Sequence, residues 1–310
     1  MEMDLEKFDL KLYCKIGYPL LEKFYHDINP PKPTGRPRKS LEKIFYTIMF
    51  ILKTGTQWEN IKETDEFVNG KTSNRVQNIL NKHGILEKVY AAVSVIYERE
   101  IGFDINWQSV DCTKVQAPVR AISIGNEDTG ANPTDRGFKG TKISMLCDHW
   151  GIPMSYCISG ANVHDSRMLH KTLEYGRLFS LYDVDTRKEI MNLCLDKGYD
   201  GNASEECAYV FGYISHIRTR GEEIAEKKEG YAPKRWVAER SFAWLKGFHY
   251  IRTRYTQKAS NFKGLVGIAI STMHVRRLLG VMSSEELVAK MLSFDWDSYF
   301  NWVAERRSVA

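Results

Sequence analysis

Hydrophobic positions repeat at helical spacing through much of the first hundred residues. In the stretch 41–53, apolar side chains recur three and four residues apart, which predicts a helix with one apolar face. The same reasoning predicts a short helix from Trp58, a third helix that ends at Gly84, and a fourth over 86–100. Polar residues dominate the third helix: Asn74, Arg75, Gln77 and Asn78. This arrangement is typical of a helix-turn-helix module, and equally of a plain helical bundle.

After residue 104 the pattern changes to short strands. Strands are predicted over 107–113, 142–147, 152–158, 191–196 and 213–218, because apolar side chains there alternate or form short runs. Helices are predicted from Asp165, over 203–210 and over 234–248. Strands interleaved with helices in this order predict the α/β class, with a mixed sheet flanked by helices.

The two patterns divide the chain into three predicted domains. Residues 1–104 form a helical domain with a DNA-binding role, residues 105–275 form the α/β domain, and residues 276–310 form a helical tail rich in aromatic side chains.

Composition narrows the classes of protein that the chain can represent. Its 310 residues include 43% hydrophobic ones, enough for a substantial core. It has no apolar run of the length that crosses a membrane and no apolar N-terminal leader. We therefore expect a cytoplasmic protein without a signal peptide or transmembrane segment. The six cysteines lack the spacing of a zinc site.

Basic residues are concentrated in two segments, which suggests an anionic partner. The segment PTGRPRKS is a short arm with three cations, Arg36, Arg38 and Lys39. The segment from Lys234 to Lys258 interleaves cations with aromatic side chains. Its candidate DNA contacts are Arg235, Arg240, Lys246, Arg252 and Arg254. A charged linker and a solvated helix face explain the same two patterns.

Three acidic residues stand out by their positions. Asp111 lies within the first strand of the sheet, where an acid is costly unless it is paired or binds a metal. Asp196 ends a strand, and ligand sites of α/β sheets gather at such ends. Glu239 lies in the basic helix. Carboxylates without histidine or cysteine ligands suit Mg²⁺ or Mn²⁺, although spacing alone is a weak signal in a chain with 39 acids.

Four stretches, in order, resemble the DDE transposases of the insertion-sequence-five superfamily. They are SVDCTKVQAP around Asp111, the run from Gly130 to Leu169, LCLDKGYDG around Asp196, and RWVAERSFAWLKGFHYIRTRY around Glu239. The N-terminal stretch GRPRKSLEKIFYTIMFILKTGTQWENI also looks like the helical leader of the family. The resemblance covers roughly residues 35–270.

The resemblance implies a ribonuclease H-like catalytic domain in which Asp111, Asp196 and Glu239 hold two Mg²⁺ or Mn²⁺ ions. It implies cleavage at transposon ends, strand transfer into double-stranded target DNA, and a homodimer or larger assembly on DNA. The family pattern Y-x2-R-x3-E-x6-K matches Arg235, Glu239 and Lys246, but Tyr231 lies one residue too far from Arg235.

Two alternatives remain open from the sequence. A ribonuclease H-like nuclease without strand transfer would share the metal site, and a domesticated, transposase-derived DNA-binding protein would share the fold. In the motif GANVHDS, Asp165 is interpreted as a helix N-cap or substrate-positioning residue, with a metal pair formed with His164 as the less favoured reading.

Overall fold

The structure is a computed structural model that describes residues 9–30, 34, 37–118, 128–132, 136–179, 190–217 and 236–309. Its helices are α1 (Leu10–Ile28), α2 (Leu41–Thr54), α3 (Gly70–Lys82), α4 (Ile85–Glu100), α5 (Asp165–Phe179), α6 (Asn202–Val210), α7 (Trp236–Leu245), α8 (His249–Arg252), α9 (Ala259–Leu278), α10 (Ser284–Ser293) and α11 (Trp296–Val309), with single 3-10 turns at Trp58–Asn60 and Lys197–Tyr199. Its strands are β1 (Trp107–Gln116), β2 (Gly130–Ala131), β3 (Lys139–Cys147), β4 (Pro153–Gly160), β5 (Met191–Leu195) and β6 (Tyr213–Ile217). No helix in the described part of the chain is long and apolar enough to cross a membrane.

The chain forms two compact units. The helical unit combines Met1–Tyr97 with Trp244–Trp296, and the sheet unit combines Glu98–Ala243 with Asp297–Ala310. These limits differ from the three predicted domains, because α8 and α9 belong to the same unit as the N-terminal helices. The DNA-binding role assigned to residues 1–104 stays a prediction.

Two long helices of the helical unit had no counterpart in the predicted elements. Helix α1 begins where the Asp9 side chain accepts the backbone N–H groups of Lys11 and Leu12. Helix α9 is buried around almost its whole circumference, so its sequence carries no apolar stripe on one side. A helix of this kind is recognised by its length and by the absence of proline, and not by amphipathic periodicity.

The sheet unit is built on strands in the order β4-β3-β1-β5-β6, with the short β2 also paired to β3. Strand β3 is antiparallel to both β4 and β1, whereas β1, β5 and β6 are parallel. A three-stranded antiparallel meander followed by two parallel strands reached through helices is the ribonuclease H-like arrangement. The predicted mixed sheet flanked by helices is therefore confirmed.

One face of this sheet is covered by an apolar core. Val110, Leu146 and Leu193 pack there against Leu169 and Leu173 of α5. Because side chains alternate along a strand, the neighbours of Val110 on β1, Ser109 and Asp111, point to the opposite face. The sequence of β1 thus places an acid on the face of the sheet that α5 does not cover.

Candidate functional site

Asp111 lies within β1, and Asp196 directly follows the adjacent strand β5. Ser109 of β1 pairs in parallel register with Cys194 of β5. Asp111 lies two residues after Ser109, and Asp196 lies two residues after Cys194. Parallel strands in register are about 4.8 Å apart, and residues at the same level point to the same face. Both aspartates are half-buried. The structure therefore brings two of the three predicted carboxylates together.

Local hydrogen bonds orient both of these carboxylates. One oxygen of Asp111 accepts the backbone N–H of Cys112 at 2.7 Å. One oxygen of Asp196 accepts the N–H of Gly198 at 2.7 Å and so begins the turn Lys197–Tyr199. The remaining carboxylate oxygen of Asp196 has no part in that turn.

A third carboxylate close to this pair belongs to Asp165, the first residue of α5. A Cβ atom built on Gly198 would lie 2.8 Å from Oδ1 of Asp196 and 3.4 Å from Oδ2 of Asp165. Burial, followed by the charge of Asp165, raises the pKa of the Cys112 thiol. Burial also raises the pKa of Tyr199, with smaller contributions from Cys112, Asp165 and Asp111. The sequence places Asp165 at a helix start, but only the fold brings it to Gly198.

Glu239 lies in the first turn of α7, and its side chain is exposed. Ser241, two positions further on, is buried against the hairpin turn between β3 and β4. Residues two apart in a helix point in nearly opposite directions, so Glu239 faces away from that contact. Among the described residues, no three His, Cys, Asp or Glu side chains are grouped to hold a metal ion. The predicted triad is thus assembled only as far as Asp111 and Asp196.

Helix α7 is attached to the β3–β4 turn by close contacts at Gly151. The Ser241 hydroxyl donates to the carbonyl of Gly151 at 2.5 Å, and the Arg240 guanidinium donates to the carbonyl of Trp150. A Cβ atom on Gly151 would lie 2.8 Å from Cγ1 of Val237. These contacts fix the helix that carries Glu239 to the hairpin turn.

The hairpin turn itself is ordered by a buried acid, Asp148. Its oxygens accept the N–H groups of Trp150 at 2.9 Å, Ile152 at 2.7 Å and Asp104 at 3.3 Å. Burial raises the pKa of Asp148 to about 6, and the backbone hydrogen bonds only partly offset that effect. Asp148 thus acts as a turn-forming aspartate, whose side chain accepts nearby backbone N–H groups.

The predicted DNA contacts lie in different environments. Arg252 is exposed, Lys246 is half-buried, and Arg240 is engaged with Trp150. Arg254 is fully buried, and its guanidinium donates to the carbonyls of Thr256 and Gln257, each at 3.1 Å. This burial argues against a DNA contact at Arg254 and corrects the prediction made from its charge.

The basic arm is only partly described. Arg38 is exposed and donates to the carbonyl of Asn29 at 2.8 Å and to its side-chain oxygen at 2.9 Å. Lys39 forms an ion pair with Glu63. Two further predicted contacts, Arg36 and Arg235, lie outside the described residues, as does Tyr231.

Helix α3 carries a basic stripe that the sequence-based choice of residues missed. Lys71, Arg75 and Lys82 are exposed, and their spacing of four and seven residues puts them on one side of the helix. Within the described ranges, none of the three forms an ion pair. By contrast, Gln77 is 1% exposed, and the Asn78 side chain donates to the carbonyl of Asn74 at 2.9 Å. Helical spacing among the cations was the signal in the sequence.

Comparison with known proteins gives a consistent picture. Residues 99–273 match the family model of the Transposase DDE domain. A Burkholderia cepacia protein named as a transposase for insertion sequence element IS402 is 30% identical over 141 residues, which span 44% of this chain and 63% of that protein. The chain thus covers less than two thirds of this curated relative.

Solved structures similar to this chain are more distant. One is the piggyBac transposase synaptic complex with hairpin DNA, with a TM-score of 0.44, 10% identity, and coverage of 96% of this chain and 82% of that one. Another is the catalytic domain of Mos1 mariner transposase, with a TM-score of 0.27, 11% identity, and coverage of 66% and 91%. Similarity at this level carries no information about activity.

Proposed function

The chain belongs to the Transposase DDE domain family, and from that premise we propose that it cuts DNA at the ends of a mobile element and joins those ends to target DNA. The proposal rests on the parallel register of β1 with β5, which puts Asp111 and Asp196 at the same level of the sheet, within the segment that matches the family. The activity is a metal-dependent phosphoryl transfer, as both endonuclease and strand transferase.

The donor chemistry of the pair fits a hard divalent cation. Mg²⁺ is bound in proteins by one or two carboxylates together with water and substrate phosphates, and Asp111 and Asp196 supply two carboxylates. These two residues would hold Mg²⁺ or Mn²⁺, up to two ions, with Glu239 as the proposed third carboxylate ligand. When bound, such ions activate the attacking hydroxyl or water and stabilise the leaving oxygen.

DNA is the proposed partner, contacted through basic residues of the helical unit. In the helical unit, the basic stripe of α3 (Lys71, Arg75, Lys82) offers three exposed cations without carboxylate partners among the described residues. Exposed Arg252 adds a fourth. Each phosphate neutralised by a cation releases counterions, so binding should weaken steeply with salt. Since transposition joins two ends, we propose a homodimer or larger assembly on DNA.

A strand-transfer assay tests the proposed activity. Purified protein is incubated with Mg²⁺ or Mn²⁺ and DNA that carries the sequences flanking its own gene, alongside Asp196→Asn and Asp111→Asn. The control is Glu205→Gln, an exposed acid of α6. We expect joining to target DNA that depends on the metal. This joining should be lost in the two aspartate variants and kept in Glu205→Gln. Equal joining by Asp196→Asn and the wild type would refute the proposed role of the pair.

The same assay separates the two alternative functions. Cleavage without joining, with correct ends and target present, would indicate a nuclease. End-specific binding with neither reaction would indicate a transposase-derived DNA-binding protein.

A salt titration tests the α3 stripe. Arg75→Gln should weaken binding to end DNA and lower the slope of log affinity against log salt by about 1. Lys15→Gln is the matched control, because Lys15 already pairs with Glu285 at 3.3 Å. An unchanged slope in Arg75→Gln would remove α3 from the proposed interface.

A further inference from the structure

A buried lysine reaches the edge of the site from the opposite face of the sheet. Lys142 of β3 is 4% exposed, and its Nζ donates to the carbonyl of Val163 at 2.5 Å and to Oδ1 of Asp165. Burying an ammonium group is costly unless its charge is paired and its protons are bonded. A buried lysine with these partners holds the start of α5 in one position relative to β3.

The partner of this lysine, Asp165, lies beside the turn Lys197–Tyr199. While Oδ1 of Asp165 is bound to Lys142, Oδ2 faces Gly198, at 3.4 Å from the position that a Cβ would occupy. Oδ1 of Asp196 lies 2.8 Å from that same position. The absence of a side chain at Gly198 therefore lets two carboxylates approach each other around one residue.

Two carboxylates beside the same residue repel each other unless a cation compensates one of them. Lys142 provides that cation to Asp165, at the carboxylate oxygen that does not face Gly198. The Asp165 charge, once compensated and fixed, limits the orientations that the Asp196 carboxylate can take. A carboxylate that binds metal is commonly oriented by such an outer group, and removal of that group typically costs metal affinity.

We propose that Lys142 and Asp165 form a positioning pair, which holds the turn Lys197–Tyr199 so that the Asp196 carboxylate stays directed toward Asp111. The pair binds no substrate itself. This inference rests on the proposed function, because it assumes that Asp196 is a metal-binding residue.

The test measures Mn²⁺ binding to the full-length protein without DNA, by the loss of the free Mn²⁺ signal in electron paramagnetic resonance. Asp165→Asn and Lys142→Met are compared with the wild type, and each should raise the Mn²⁺ dissociation constant roughly tenfold or more. Because the two residues act through one contact, the double variant should be no weaker than the poorer single variant.

The matched control is Thr172→Val. Thr172 also joins α5 to β3, through a hydrogen bond of its hydroxyl to Ser144 at 2.7 Å, but it does not touch the turn at Gly198. Thr172→Val should lower the thermal stability and leave the Mn²⁺ dissociation constant at its wild-type value. If Lys142 and Asp165 had only a structural role, their variants would likewise lose thermal stability without a change in the Mn²⁺ dissociation constant.

The outcomes distinguish failure of the positioning pair from failure of the proposed function. If the wild type binds Mn²⁺, Asp196→Asn does not, and folded Asp165→Asn and Lys142→Met bind it as the wild type does, the positioning pair is refuted and the proposed function stands. If the wild type and Asp196→Asn are alike in binding no Mn²⁺, both fail. In the Asp165→Asn and Lys142→Met variants, the metal concentration for half-maximal DNA cleavage should rise in parallel with the Mn²⁺ dissociation constant.

Discussion

The contact between α7 and the β3–β4 turn can be tested by adding a single methyl group. Gly151 has φ +79, in the left-handed region that favours glycine. A Cβ there would lie 2.8 Å from Cγ1 of Val237, 3.0 Å from Oγ of Ser241 and 3.1 Å from Nη2 of Arg240. Gly151→Ala therefore meets two separate penalties, one of backbone conformation and one of packing.

The size of each penalty follows from the geometry. An L-residue in the left-handed region costs about 1–2 kcal/mol. A methyl group forced into a packed contact costs typically about 1–3 kcal/mol more. The matched control is Gly137→Ala, because Gly137 has φ +74 but no heavy atom within 4 Å of the added Cβ. We expect Gly151→Ala to be less stable than Gly137→Ala by the packing penalty alone.

Thermal and urea unfolding, followed by circular dichroism, measure the difference. A packing penalty of about 1–3 kcal/mol corresponds to several degrees in Tm for a unit of this size. Since α7 carries Glu239, Gly151→Ala should also reduce metal-dependent cleavage more than Gly137→Ala does. Equal stability of the two variants would show that α7 does not rest on Gly151 as described.

Three further predictions follow from buried or crowded groups. Burial raises the pKa of Asp148 from 3.8 to about 6. Between these two pH values, the folded protein therefore keeps the Asp148 proton that the unfolded chain has lost. Its stabilising contribution is complete below about pH 4 and disappears as pH rises through 6, so the wild-type unfolding free energy should fall relative to Asp148→Asn by on the order of 3 kcal/mol over that window; a difference independent of pH would contradict this. Gly198→Ala puts a Cβ 2.8 Å from Oδ1 of Asp196, and it should weaken Mn²⁺ binding and DNA cleavage; wild-type values for both would show that the turn is not crowded. Arg254→Met leaves two carbonyls without their donor and should lower the free energy of unfolding in urea by roughly 2–4 kcal/mol. Arg252→Gln, at an exposed position, should change the salt dependence of DNA binding and leave stability nearly unchanged. The reverse pattern would exchange the roles of the two arginines.

Much of the sheet unit was predictable because its strands are short, apolar and separated by turns. Periodicity located β3, β4 and β5, and it placed Asp111 within a strand and Asp196 at the end of another. Each of these features depends on a few neighbouring residues, so it can be predicted without knowledge of the tertiary structure. Ordered motifs around the same acids identified the family.

Pairing and burial depend on residues far apart in the chain, and only the tertiary structure decided them. The parallel register of β1 with β5 makes Asp111 and Asp196 neighbours, although 84 residues separate them in the chain. Charge alone placed Arg254 on DNA, whereas packing buries it.

The direction of a side chain on a helix is likewise decided by what that helix packs against. Contacts at Gly151 turn Ser241 inward and leave Glu239 exposed. The approach of α5 to β3 and to Gly198 joins Lys142, Asp165 and Asp196, which no spacing in the sequence connects. Local patterns thus determined which elements form and which carry acids, and the long-range packing of those elements determined which acids meet.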